Sequence, residues 1–103
     1  MLVAFSVAPS GGSESGSDSV ADVVAEAVRV VRESGLPHET TSMFTTIEAE
    51  TWDEAMDVVK RAVEAVQARS SRVSLVLKAD IRPGFTDQLT SKVERIDQAL
   101  GDA

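Results

Sequence analysis

Segments with a two-residue hydrophobic period alternate with segments of helical period along this chain. The two-residue period is clearest in residues 2–8 and 72–82. Apolar stripes at helical spacing occupy residues 20–34, 52–66 and 89–100. Strands repeat every two residues and helices about every 3.6, so these segments predict two long strands and three helices.

The boundaries of these segments carry turn and capping residues. Residues 9–19, rich in glycine, serine and acids, predict a long loop whose last residues cap the first helix. Thr51 and Glu54 have the spacing of a capping box at the start of the second helix. Between these helices, β-branched residues predict strands at 38–42 and 44–49, with a turn between them.

The resulting order, βαββαβ plus a C-terminal helix, predicts an α+β, ferredoxin-like domain over residues 1–103. Its four-stranded antiparallel sheet is expected to carry two helices on one face. The strand residues predicted to pack on the helices are Val3, Phe5, Val7, Ile47, Val73, Leu75, Leu77 and Ile81. The predicted packed stripe of the second helix is Trp52, Ala55, Met56, Val59, Val63 and Val66.

The opposite face of the predicted sheet mixes small, apolar and polar side chains. Ser6 and Ala8 alternate with the core residues of the first strand, and Phe44 and Val76 add apolar surface. Left in water, this face would expose an apolar patch. We therefore expect it to pack on another copy, giving a homodimer or homotetramer with a ligand pocket at the seam.

Composition excludes several classes of function. The chain has no cysteine, and His38 is its only histidine, so thiolate sites and multi-histidine metal sites are excluded. A formal net charge of −7 argues against nucleic acid as a partner. No segment has the length of a membrane-spanning helix or the pattern of a signal peptide. We expect a cytoplasmic protein with no metal, no cofactor and no membrane partner.

Three runs resemble the small, YkoF-like thiamine-binding proteins, a family with a ferredoxin-like fold. They are VAPS (7–10), MFTTIEA (43–49) and RVSLVLKADIRPG (72–84). Phe44 and Ala49 depart from this pattern, since many members carry glycines there. The resemblance implies a protein that is not an enzyme and binds thiamine or its hydroxymethylpyrimidine part. It also implies homo-oligomers built through the open sheet faces.

Strand alternation selects the residues for such a ligand. An aminopyrimidine needs acceptors and donors, and a thiazolium cation prefers an acidic or aromatic neighbour. The predicted ligand-binding residues, all assigned to the open face, are Ser6, Phe44, Thr46, Glu48, Ser74, Lys78 and Asp80. No catalytic residue is predicted.

Other interpretations of these residues remain open. Glu48 and Asp80 could simply form ion pairs with basic residues of the last strand, such as Lys78. The domain could instead be a metabolite-sensing regulatory module. It could also be a small enzyme with Glu48 or Asp80 as general base, which would need a raised pKa.

Overall fold

Four strands form an antiparallel sheet in the computed structural model, which describes residues 1–10 and 20–101. The elements are β1 (Leu2–Ser10), α1 (Val20–Glu33), β2 (His38–Thr40), β3 (Thr45–Glu48), α2 (Trp52–Gln67), β4 (Arg72–Asp80) and α3 (Gln88–Ala99). The strand order is β2-β3-β1-β4, and every neighbouring pair is antiparallel. The predicted ferredoxin-like α+β architecture is confirmed. The predicted helix caps at 17–19, and most of the predicted loop, lie outside the described residues.

The core lies between one face of the sheet and the two helices α1 and α2. Val3, Phe5 and Ile47 are at most 2% exposed, and Val7 is also buried. Val31 of α1 and Val66 of α2 are fully buried against them. The alternation of β1 therefore predicted its inward face correctly, because successive strand residues point to opposite faces.

The hairpin between the helices is shorter than predicted, with three residues in β2 and four in β3. Its turn falls at Ser42 and Met43, as expected. Thr41 closes the turn: its backbone N–H donates to the Phe44 carbonyl at 2.9 Å, and its Oγ1 accepts from the Phe44 N–H at 3.2 Å. Phe44 lies just before β3 and not within it.

The start of α2 confirms the predicted cap and corrects the predicted stripe. Thr51 Oγ1 accepts a hydrogen bond from the Glu54 N–H at 3.1 Å, and the Glu54 carboxylate accepts from the Glu50 N–H at 3.0 Å. The buried residues of α2 are Ala55, Val58, Val59, Ala62 and Val66. Trp52 was expected in this stripe but is 51% exposed, because the helix begins there and its side chain borders an open cleft.

The prediction that the last strand packs fully on the helices is wrong for Leu75 and Leu77 of β4 and for Ile81, which lies just beyond the end of β4. Leu75, Leu77 and Ile81 are 43%, 36% and 50% exposed, whereas Val73 is half-buried. The reason is topological: β4 is the last strand in the sheet order, and within the described residues it pairs with β1 alone. The side chains of an edge strand have neighbours on only one side, so alternation alone does not bury them.

The C-terminal helix α3 was expected, but its apolar stripe does not join the core. Leu89 is half-buried, whereas Val93, Ile96 and Leu100 are 55%, 59% and 64% exposed. The described helices include none with the length and hydropathy required to cross a membrane.

Two isoleucines that share the same predicted face provide a test of this core. Replacing the fully buried Ile47 by Ala is expected to lower the free energy of unfolding by about 2–5 kcal/mol, since a cavity is left behind. Ile81→Ala is expected to cost much less, because half of that side chain is already in water. Urea unfolding followed by circular dichroism measures both, and equal losses would contradict the difference in burial.

Candidate functional site

The sheet face opposite α1 and α2, called the open face below, carries most of the predicted ligand residues in rows set by the strand register. In the first row Glu48 and Asp80 lie on either side of Leu2. In the second row Thr46 and Lys78 lie on either side of Ala4. The structure therefore groups two carboxylates, a hydroxyl and an ammonium on adjacent rows.

The remaining predicted residues lie farther along β1. Ser6 is opposite Val76, and Ser74 is opposite Ala8, six residues beyond the row that contains Leu2. Six strand residues span about 20 Å, so Ser74 lies too far from Glu48 and Asp80 for one small ligand to contact all three. Phe44 is half-buried and lines a cavity of about 210 Å³ that includes residues of α1.

The Glu48 carboxylate, on the open face, hydrogen-bonds to the backbone at the start of α3. One of its carboxylate oxygens accepts from the Gln88 N–H at 3.0 Å, and the other accepts from the Leu89 N–H at 3.4 Å. The first N–H groups of a helix lack partners within the helix, and a negative charge is favourable at that end. Glu48 therefore acts as an anionic cap for a helix that begins forty residues later.

Asp80 makes the second attachment of α3. Its Oδ2 accepts from the Lys92 Nζ at 2.5 Å, so its described partner is a lysine of α3 and not a basic residue of β4. The hydrogen bond and the charge of Lys92 lower the pKa of Asp80, and the nearby charges of Arg82 and Lys78 act in the same direction. A lowered pKa is opposite to what a general base at Asp80 would need.

An open cleft of about 800 Å³ lies at the Glu48 end of the open face. Its walls are the junction between β3 and α2 and the segment 81–87 that joins β4 to α3. Trp52 borders it from α2, and Phe85, 43% exposed, borders it from the joining segment. The Arg82 guanidinium stacks on Phe85, 3.6 Å from the ring centroid. Gly84, with a φ of +84°, allows the tight turn of this segment.

Charged side chains give the cleft an acidic character. The four carboxylates that line it are those of Glu48, Glu50, Glu54 and Asp87, whereas Arg82 is the one lysine or arginine among the lining residues. Excess negative charge beside flat apolar rings suits a cationic aromatic molecule. Among the described residues, no group of three or more His, Asp or Glu side chains could hold a metal ion.

The sequence analysis missed Trp52 and Phe85 as possible ligand contacts. Helical spacing assigned Trp52 to the core, and Phe85 was not singled out. The available signals were local: Trp52 directly follows the N-cap Thr51, and Phe85 directly follows the chain-turning pair Pro83–Gly84. Both positions favour exposure, because they lie at the ends of elements.

Replacing Lys92 by Met is expected to return the pKa of Asp80 toward its ordinary value of 3.8. In the unmodified chain the pair stabilises the folded state above that value, and this stabilisation is lost as the pH falls through the lowered pKa. NMR titration of the Asp80 carboxyl carbon measures the change. Lys60→Met, on the exposed face of α2, is the matched control. An unaltered Asp80 titration in Lys92→Met would contradict the pairing.

Comparisons with known proteins agree on one family. The model of a family described as thiamine-binding protein matches residues 3–97. A UPF0045 protein of Mycobacterium bovis is 56% identical over 100 residues, which cover 97% of this chain and 94% of that protein.

Solved structures show the same fold. A domain of unknown function (DUF77) from Bacillus cereus has a TM-score of 0.73 and 34% identity, over 86% of this chain and 84% of that one. A candidate thiamine biosynthesis or salvage protein from Thermotoga maritima has a TM-score of 0.73 over 92% of this chain and 96% of that one. Its 24% identity makes this a likeness of fold. With the family match over nearly its whole length and a close UPF0045 relative, this chain belongs to the thiamine-binding protein family.

Proposed function

We propose that this protein binds thiamine, or its hydroxymethylpyrimidine part, without catalysing a reaction. The observation that carries the proposal is the family match over residues 3–97. The proposal includes a cytoplasmic homo-oligomer, dimeric or tetrameric, in which open faces of the sheet pack on one another. The exposed Val76, on the open-face side of the edge strand β4, supports the packing, since it is apolar and 56% exposed.

The hydrogen-bonding side chains of the first two rows suit the pyrimidine ring. Each Glu48 oxygen accepts one described backbone N–H, and a carboxylate oxygen can accept a second hydrogen bond. Glu48 can therefore receive the exocyclic amine while it still caps α3. Thr46 and Lys78, in the adjacent row, can donate to ring nitrogens. Ser6 lies one row farther along β1.

The acidic cleft suits the thiazolium ring. Glu48 belongs both to the open face and to the cleft, so one ligand can extend from the rows into the cleft. There Trp52, and the part of Phe85 that the Arg82 guanidinium does not cover, offer aromatic surface, and the surrounding carboxylates neutralise the positive charge. We therefore add these two aromatic residues to the predicted set.

A thiamine titration followed by Trp52 fluorescence is the direct test. Trp52 is the only tryptophan, and the chain has no tyrosine, so the emission reports on the cleft alone. We expect saturable calorimetric binding of thiamine together with a change in Trp52 emission. Hydroxymethylpyrimidine should bind with a smaller emission change, because it lacks the thiazolium ring. The absence of heat with either compound, in a folded sample, would overturn the proposed ligand.

The charge of Glu48 is expected to contribute to affinity. Glu48→Gln keeps an oxygen that accepts from the α3 backbone but removes the negative charge, so thiamine should bind about tenfold more weakly. The matched control is Glu64→Gln, on the exposed face of α2, which should leave the affinity unaltered. Calorimetry measures both variants, and equal affinity in Glu48→Gln and the unmodified protein would exclude Glu48 from the site.

A further inference from the structure

Ser91 carries a buried hydroxyl that has no hydrogen-bond partner. Within the part of the chain that the structure describes, the Ser91 Oγ is the one buried side-chain polar atom in this condition. Buried hydroxyls nearly always have a partner, because water can no longer supply one, so an exception needs an explanation. Ser91 belongs to α3, the helix attached to the two carboxylates of the first row. The unused hydroxyl therefore lies close to the candidate site.

Ser91 lies between the two attachments of α3 to the open face. Three residues before it, the Gln88 N–H donates to the Glu48 carboxylate at 3.0 Å. Directly after it, the Lys92 ammonium donates to the Asp80 carboxylate. Residues three apart on a helix have Cβ atoms about 5–6 Å apart. The hydroxyl therefore lies about one helical turn from the backbone that Glu48 caps.

The side of α3 that carries Ser91 is its buried side. Gln88 is only 6% exposed, and residues three apart share one side of a helix. From the next turn, the Arg95 Nη2 donates to the Gln88 Oε1 at 3.3 Å, so a side-chain bridge runs along this side past Ser91. Arg95 itself is exposed. The hydroxyl therefore lies beside a contact that can break without disturbing the core.

A carboxylate and a hydroxyl in this arrangement match one edge of an aminopyrimidine. Such a ring presents an amine, which donates, next to a ring nitrogen, which accepts. An ionised Glu48 can only accept, so it suits the amine. A serine hydroxyl can donate, so it suits the neighbouring ring nitrogen. The second ring nitrogen, opposite the amine, is left for Thr46 or Lys78 of the adjacent row.

We propose that Ser91 is a ligand-binding residue, whose hydroxyl donates to the pyrimidine nitrogen beside the amine that Glu48 accepts. This inference rests on the proposed function, because it concerns the same ligand, and it makes α3 a wall of the site. The bridge between Arg95 and Gln88 opens as the ligand enters. The hydroxyl then gains the partner that no described residue gives it in the free protein.

This role predicts that Ser91→Ala weakens binding without weakening the fold. The substitution removes a hydroxyl that makes no hydrogen bond to the described residues, and alanine is the better helix former. The variant should therefore unfold at the same urea concentration as the unmodified protein, or at a higher one. Calorimetry should show about fivefold weaker binding of thiamine, as expected for the loss of one hydrogen bond.

Thr90→Ala, one residue earlier in α3, is the matched control. The Thr90 side chain is exposed, and its Oγ1 donates to the Asp87 carbonyl at 3.2 Å within the helix. Its removal should leave the affinity for thiamine unaltered and should not raise the stability. Equal losses of affinity in the two variants would overturn the proposal, because both would then act through the helix. A loss of stability in Ser91→Ala would also overturn it.

A thiamine analogue with CH in place of the ring nitrogen beside the amine tests the contact itself. The unmodified protein should bind this analogue about fivefold more weakly than thiamine, because the Ser91 hydroxyl loses its acceptor. Ser91→Ala has no hydroxyl to leave unpaired, so it should bind both compounds equally. The same preference for thiamine in both proteins would overturn the proposal.

The titration of the unmodified protein separates the two proposals. Absence of thiamine binding overturns the proposed function and, with it, the role of Ser91. Thiamine binding that Ser91→Ala leaves unaltered overturns the role of Ser91 alone.

Discussion

The central strand β1 is the constraint on which the rest of the structure depends. It pairs over its whole length with β4 and over four residues with β3, so its register positions both neighbours. Val3 and Phe5 point into the core, while Ala4 and Ser6 point to the open face. A slip of one residue would exchange the two sets, putting polar groups into the core and removing the candidate site. The alternation of side chains along β1 therefore determines both which residues pack in the core and which residues lie at the candidate site.

The carboxylates of the first row combine a structural role with a proposed binding role. Glu48 caps α3 and Asp80 pairs with Lys92, so both hold a helix whose apolar stripe is largely outside the core. Because α3 is held largely by polar contacts, its position depends on the same charges that a cationic ligand would meet. Binding at this row and the position of α3 are therefore coupled through shared carboxylates.

Most of the exposed apolar surface of this chain is concentrated in a few regions. Apart from Met43 in the turn between β2 and β3, this surface lies on β4, on α3 and around the acidic cleft, whereas the face between α1, α2 and the sheet is buried. A small domain has limited interior, so apolar residues beyond the core must meet water, a ligand or another chain. The cleft favours a ligand, because it is concave and acidic.

Sequence alone determined the order of the elements, the cap at Thr51 and the inward face of β1. These features follow from periodicity and capping, which act over a few neighbouring residues. Tertiary structure decided the exposure of Leu75 and Leu77, which depends on which strand lies at the edge of the sheet. It also decided the partners of Glu48 and Asp80, which lie forty and twelve residues away along the chain. No local pattern encodes these contacts, because they arise only when the turn after β4 brings α3 onto the open face.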